Sequence, residues 1–257
     1  MKTILIPGKV IAEKDTRPLI KRPGSPSFLS LQPHNHSEGT NWVLTAAHCL
    51  HHPLDPEDPT LHSSDLLGPS DFKIVMGKHW RRRSDEDEQH LSVRRVVLHP
   101  SYNPSTFEND LGLVELSESP RLNEFVMPIC LPEHPSTEGT MVIVSGWGKQ
   151  FLQRLPENLM EIEIPIVNYD TCQEAYAPLK KNVTKDMICA GEKEGGKDAC
   201  AGDSGGPMMT KDQETNQWYL VGVVSWGEDC GKKDRYGVYS YIYPNKDWIQ
   251  RVSGVRN

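Results

Sequence analysis

GKDACAGDSGGP, residues 196–207, sets one serine among glycines and aspartates just after a cysteine. Ser204 is either a turn residue or a nucleophile, and that choice decides how the rest of the chain is read. A serine hydroxyl is a weak nucleophile at neutral pH. It needs a base for its proton, an orienter for that base, and N–H donors for the oxyanion that forms. The chain offers a candidate for each. His48 ends the apolar run of LTAAHC, and Asp110 opens NDLGLVEL. Gly202 and Ser204 can aim their backbone N–H groups at one point, because glycine allows the tight turn this requires. Taken singly, each has a plainer reading: a Gly-rich turn, a structural histidine, a solvated aspartate at a strand start. The order His, Asp, Ser along one chain is far more specific than any of the three.

Working outward, residues 41–257 read as short strands. WVLTAA (42–47), FKIVMG (72–77), LSVRRVVL (91–98), LGLVEL (111–116), MVIVSGWG (141–148), WYLVGVVSWG (218–227) and YGVYSYI (236–242) are rich in β-branched and aromatic residues. In MEIEIPIV (160–167), Met160, Ile162 and Ile164 alternate with Glu161 and Glu163, which predicts one buried face and one wet face. The polar, proline-rich stretch 51–72 is expected to be a long surface loop. One helix is predicted, over NKDWIQRV, with Asn245 as its cap. Residues 1–40 show little periodicity and are expected to be irregular.

The chain has 257 residues and a net charge of −7, which argues against a general nucleic-acid binder. No apolar run approaches the ~18 residues of a membrane helix. The opening MKTILIPGKV is interrupted by Pro7 and Lys9 too soon for a secretion-signal core of ~7–15 residues. The six cysteines form no C-x-x-C pair, so a zinc ribbon is not indicated, and their spread suggests disulfides in an oxidising compartment. A metal site from His48, Cys49, His51 and His52 is disfavoured, because His48 already belongs to the catalytic pattern. Asn182-Val183-Thr184 and Asn35-His36-Ser37 are glycosylation sequons, of which Asn182 is the expected acceptor in a secreted chain.

TAAHC (45–49), NDLGLVEL (109–116), SGWG (145–148), GDSGGP (202–207), SWG (225–227) and YGVY (236–239) resemble the chymotrypsin/trypsin-like serine peptidases. Asp110 and Ser204 are 94 positions apart, against about 93 in that family's reference enzyme. His48 and Asp110 are 62 apart, against about 45, and the surplus falls in the 51–72 loop. The resemblance implies an all-β fold, a double six-stranded β-barrel with a C-terminal helix. It implies a divergent segment 1–38 and a protease domain 39–257, with halves at about 39–140 and 141–257. It assigns Ser204 as nucleophile, His48 as base then acid, and Asp110 as orienter.

The same resemblance places Asp198 on the floor of a substrate pocket walled by Ser225, Trp226, Gly227 and Gly237. A carboxylate there favours cleavage after Arg or Lys. The plainer reading of Asp198 is a solvated loop residue beside Lys197. Arg235, two residues before Gly237, is near enough in sequence to compete for it. Asp203 matches the carboxylate that pairs with a new α-amino group when a zymogen is cut. Leaving such a buried charge unpaired costs roughly 3–5 kcal/mol. Cys172–Cys189 and Cys200–Cys230 match two family disulfides, and the pairing of Cys49 and Cys130 is left open.

The chain departs from the family in residues 1–40, where no Arg precedes an Ile/Val-Val-Gly-Gly segment. The first strands of the N-terminal barrel are therefore expected to be missing, and that barrel incomplete. The alternative to an active peptidase follows: an inactive truncated isoform or protease-like binding module. The longer matches, among them the 51–91 stretch and CAGEKEGGKDACAGDSGGP, narrow the resemblance to modular plasma proteases of the complement lectin pathway. That implies secretion, complement proteins with exposed Arg or Lys as substrates, and serpin-type inhibitors as partners. It implies no cofactor, no bound calcium, no nucleic acid and no membrane.

Overall fold

The computed structural model of the chain describes residues 2–7, 41–150 and 155–255, the first of these by backbone alone. The remainder of the first forty residues, including the Asn35 sequon, lies outside the described residues. Lys2–Pro7 is not irregular as expected. It forms a strand, β1, which runs parallel to Phe72–Lys78 (β3), with Ile4 opposite Ile74. Pro7 ends it, consistent with a residue that cannot donate to a ladder.

Among the described residues the N-terminal half holds two three-stranded sheets. The first joins β1, β3 and Gln89–Leu91 (β4). The second has Trp42–Thr45 (β2) antiparallel to Gly112–Leu116 (β6), which in turn pairs with Val93–Leu98 (β5). β2 and β6 read as near-continuous apolar runs because both faces are covered. Glu115 is a charged exception: it lies opposite Trp42 and is held by Arg95 at 2.5 Å.

The C-terminal half is a closed six-stranded barrel. Met141–Gly146 (β7), Met160–Val167 (β8) and Met187–Ala190 (β9) follow one another round it, and Pro207–Lys211 (β10), Trp218–Trp226 (β11) and Gly237–Tyr241 (β12) complete it. Closure leaves no open edge to pair with another chain. Val142, Val144, Ile164, Ile166, Met208, Val221 and Tyr239 fill the interior. The alternation predicted for β8 holds at Ile164 and Ile166 but fails at Glu161. That side chain is half-buried, its Oε2 is enclosed with no hydrogen-bond partner, and burial, then the charge of Glu163, pushes its carboxyl up to about 8.

Two helices flank the barrel. Tyr169–Tyr176 (α1) starts at Asn168, whose Oδ1 accepts from the Asp170 N–H at 2.9 Å, and is pinned by the Cys172–Cys189 disulfide. Ile242–Ser253 (α2) begins three residues before the expected cap. Asn245 lies within it and donates to the Tyr241 carbonyl at 2.8 Å. Ile242, Trp248 and Ile249 of α2 share one core with Trp42, Leu44, Leu113 and Leu116 of the other half. The helix thus ties the chain's end back onto the N-terminal sheets. The 51–72 stretch is mostly exposed, as expected of a surface loop.

Candidate active site

The fully buried β2 delivers the chain into a single 3-10 turn, Ala47–Leu50, which carries His48 at the junction of the two halves. Asp110 arrives from the turn before β6. Asn109 adopts a left-handed φ of 52°, a conformation asparagine tolerates better than most residues, and this turns Asp110 inward. The Asn109 N–H donates to Asp186 Oδ2 at 2.6 Å, which fixes the turn against the C-terminal barrel.

The Asp110 side chain is completely buried, and its hydrogen bonds converge on His48. His48 Nδ1 lies 2.7 Å from Asp110 Oδ2, and the His48 backbone N–H donates to Oδ1 at 2.9 Å. Ser225 Oγ also donates to Oδ2, at 2.5 Å, and Ser240 Oγ donates to the Asp110 carbonyl at 2.7 Å. A carboxylate accepting on both oxygens is fixed in place, and it fixes the ring that shares it. Burial works against a charged His48. The Asp110 hydrogen bond, the Cys49 sulfur 3.6 Å from Nε2, and the Asp110 charge outweigh it and hold the imidazole up at about 10. Phe107 stands edge-on to the ring, with centroids 5.7 Å apart.

Ser204 is exposed on a glycine-rich turn next to this pair. Its neighbour Gly205 supplies the link. A Cβ on Gly205 would fall 2.3 Å from Thr45 Oγ1 and 3.2 Å from Cys49 Sγ, so only glycine lets the turn press against the segment bearing His48. Gly205 N–H donates to the Val224 carbonyl at 2.9 Å, and the Val224 N–H donates to Gly206 at 2.9 Å, anchoring the turn to β11. Gly202 has a φ of +106°, which other residues rarely adopt. Among the described residues, neither the Gly202 nor the Ser204 N–H donates to a backbone acceptor outside helices and strands.

Asp198 sits beside this turn with its Oδ2 accepting from the Gly231 N–H at 2.9 Å. Its Oδ1 is enclosed without a partner. A Cβ on Gly237 would come within 2.9 Å of that oxygen, whereas Gly227 faces open space. Burial raises the Asp198 carboxyl to about 6; the Gly231 and Ala199 N–H groups oppose the rise, and the charge of Asp203 adds to it. The Cys200–Cys230 disulfide clamps the two segments that form this corner. Trp226, next to Gly227, stands edge-on to Tyr176 with ring centroids 4.9 Å apart. Arg235 does not turn to Asp198. Its Nη1 donates to the Asp234 carbonyl at 2.9 Å and to Ala175 at 3.2 Å, at the end of α1.

Asp203 points the other way along the turn. Gly148 N–H donates to its Oδ1 at 2.7 Å and Cys200 N–H to its Oδ2 at 2.9 Å. Burial raises its carboxyl above the usual range, and these two bonds oppose the rise. Side chains at Gly146 and Gly148 would strike it, with Cβ positions 2.0 and 2.1 Å from its oxygens. Among the described residues Asp203 forms no ion pair. No cluster of three His, Cys, Asp or Glu side chains suited to a metal occurs among them either. His51 turns instead to Tyr102 Oη, 3.0 Å away.

Sequence reasoning did not single out Ser225 and Ser240 as partners of Asp110, nor Phe107 as a neighbour of His48. Ser225 was legible within SWG only as a pocket wall. Its hydroxyl meets Asp110 because a register shift between Val224 and Trp226 in β11 interrupts the regular pairing with β12 there.

A closed barrel joined to a second β half, with these motifs at the junction, defines a trypsin-like serine protease domain. The chain belongs to the trypsin family, whose model, described as Trypsin, matches residues 38–249. It is 89% identical over 219 residues to mannan-binding lectin serine protease 1 of Rattus norvegicus and 78% identical over 219 residues to that of Homo sapiens, each match covering 85% of this chain. It is 36% identical over 224 residues, 82% of this chain, to clotting factor C of Tachypleus tridentatus. The chain spans about a third of the length of the first two relatives, 31%, and 21% of the last.

Proposed function

We propose that the chain is a serine endopeptidase that cleaves after Arg or Lys, with Ser204 as nucleophile. The observation that carries this reading is the bond network through Asp110, which fixes His48 beside the Ser204 turn. In its neutral form, the minority at neutral pH for an imidazole held up at about 10, His48 takes the Ser204 proton during attack on the scissile carbonyl and returns it to the leaving amine. Asp110 holds Nδ1–H and leaves Nε2, 3.6 Å from Cys49 Sγ in this structure, as the nitrogen that turns to the serine, and it stabilises the imidazolium. The Gly202 and Ser204 N–H groups receive the oxyanion. The unpartnered Asp198 Oδ1, in a corner kept open by Gly227 and Gly237, suits the guanidinium or ammonium of the substrate. Two disulfides support an extracellular setting. The relatives' name, mannan-binding lectin serine protease 1, supports protein substrates; complement proteins as those substrates and serpin-type inhibitors as partners rest on the motif resemblance alone.

A silent, protease-like binding module is the second reading. It is favoured by Asp203, whose buried carboxylate is met by two backbone N–H groups and no cation among the described residues. An arginine-type phosphonate probe separates the two. Stoichiometric addition, seen by intact mass and absent from Ser204→Ala, supports the peptidase. A folded chain that takes up no probe is the binding module.

A further inference from the structure

We infer that Asn182 carries an N-linked oligosaccharide and that this glycan borders the substrate cleft. The inference rests on the extracellular reading above. The sequon Asn182-Val183-Thr184 lies in the irregular segment between α1 and β9, with Asn182 exposed. The backbone around it is held from below. Val183 is buried, and its carbonyl accepts from Tyr169 Oη at 2.8 Å and Gln173 Nε2 at 3.0 Å. The Thr184 carbonyl accepts from the Met187 N–H at 3.0 Å. These bonds hold the backbone at the buried Val183 and leave Asn182 exposed to solvent.

The plainer reading of Thr184 is a structural hydroxyl, and the fold gives it no such use. Thr184 Oγ1 has no hydrogen-bond partner among the described residues. The residue is thus explained by the acceptor signal rather than by packing. In the transfer, the Asn182 amide nitrogen bonds the anomeric carbon of a lipid-pyrophosphate-linked oligosaccharide. The carbon–oxygen bond to the lipid pyrophosphate breaks, and the amide gives up one proton.

The position next to the cleft follows from Lys181. Its Nζ lies 2.5 Å from Glu228 Oε2 and 5.5 Å from the Trp226 ring centroid. Trp226 and Glu228 flank Gly227 on the approach to Asp198. A glycan one residue beyond Lys181 therefore stands beside that approach.

The test is peptide mapping of the chain produced behind a cleavable secretory leader, with cell-retained material mapped in the same way. Peptide-N-glycosidase in heavy-oxygen water converts an occupied asparagine to labelled aspartate. The expected result is label at Asn182 and an intact-mass loss of one glycan on enzyme treatment, both absent from Asn182→Gln and from Thr184→Ala. An unlabelled Asn182 in chain whose Cys172–Cys189 and Cys200–Cys230 bonds have formed overturns the inference, as does label confined to Asn35. Because the leader forces entry to the oxidising lumen, either failure counts against the glycan and leaves the extracellular reading untouched.

Discussion

A Cβ on Gly237 would stand 2.9 Å from Asp198 Oδ1, and that oxygen has no partner of its own. Space and an unsatisfied carboxylate oxygen therefore coincide in one corner. Burial raises Asp198 to about 6, so its charge is present at neutral pH and is lost below it. Benzamidine binding is expected to be about tenfold weaker at pH 5 than at pH 8, because only about a tenth of the carboxylate is ionised there. Asp198→Asn should flatten that profile and weaken binding at pH 8 by roughly 10²–10³-fold. Calorimetric titration across pH 5–8 reads both. An unchanged affinity in the variant would remove Asp198 from the pocket.

Asp110→Asn should lower kcat on an arginine amide by about 10⁴-fold, the size of the effect in the family's reference enzyme. Cys49→Ser makes a finer test. The Cys49 sulfur helps hold His48 at about 10, so its removal should move the acidic limb of the probe-labelling profile to lower pH. The sign for stability is linked. A histidine raised above 6.5 contributes stability that is complete below that pH and is lost as pH rises through about 10. A labelling profile that does not move on Cys49→Ser would show that the sulfur does not bias the imidazole.

Gly202→Ala places a side chain on a φ of +106°, with its Cβ 3.1 Å from Gly148 Cα. The turn has to relax, and the Gly202 N–H swings away from the oxyanion position. We expect a loss of roughly 10²–10³-fold in kcat with KM little changed. Steady-state kinetics with a small amide substrate decides it; a rise in KM alone would assign Gly202 to substrate binding instead.

The Cys200–Cys230 bond closes a separation of 30 residues around the Asp198 corner. Replacing both cysteines by alanine should cost about 3–4 kcal/mol of stability from chain entropy. Because Gly231 N–H caps Asp198 Oδ2, benzamidine affinity should fall as well. Denaturant unfolding and calorimetry, run side by side, should show both losses. Lost stability with full affinity would mean that the corner holds without the bond.

Glu161 gives a pH-dependent stability. Its folded carboxyl at about 8 is well above the ordinary 4.5, so the fold opposes its ionisation. Stability is therefore full below pH 4.5 and falls as pH rises towards 8. Allowing for partial exposure, the loss should be about 1–2 kcal/mol. Glu161→Gln should raise Tm by roughly 2–6 °C at pH 8.5 and leave it unchanged at pH 4.5. Equal melting points at pH 8.5 would show the carboxyl reaching water.

The motif residues were readable because each needs a local signal. Glycine marks Gly202 and Gly205, where φ is positive, and an apolar run precedes His48. Elements set by tertiary context were not. α1 buries only Cys172 and Tyr176, with Tyr169 half-buried, too thin a pattern against its polar neighbours. β9 and β10 are short runs enclosed by the barrel, without alternation to announce them. Asn245 looked like a cap, but the buried Ile242 and the turn at Tyr241 start α2 earlier. Lys2–Pro7 forms a strand because β3 offers it an edge, which its own six residues do not reveal. Arg235 shows the limit of sequence distance: two residues from Gly237, it bonds to the end of α1 instead.

Asp110 is carried by the N-terminal half, yet Ser225 and Ser240 that steady it come from the C-terminal barrel. The base is aligned only when both halves have formed and docked. A chain whose N-terminal half has misassembled loses the orientation of His48 even where the Ser204 turn is intact, because that turn is anchored within the C-terminal barrel. On the proposed peptidase reading, the contacts that make the finished site competent also keep a half-folded copy from digesting its neighbours.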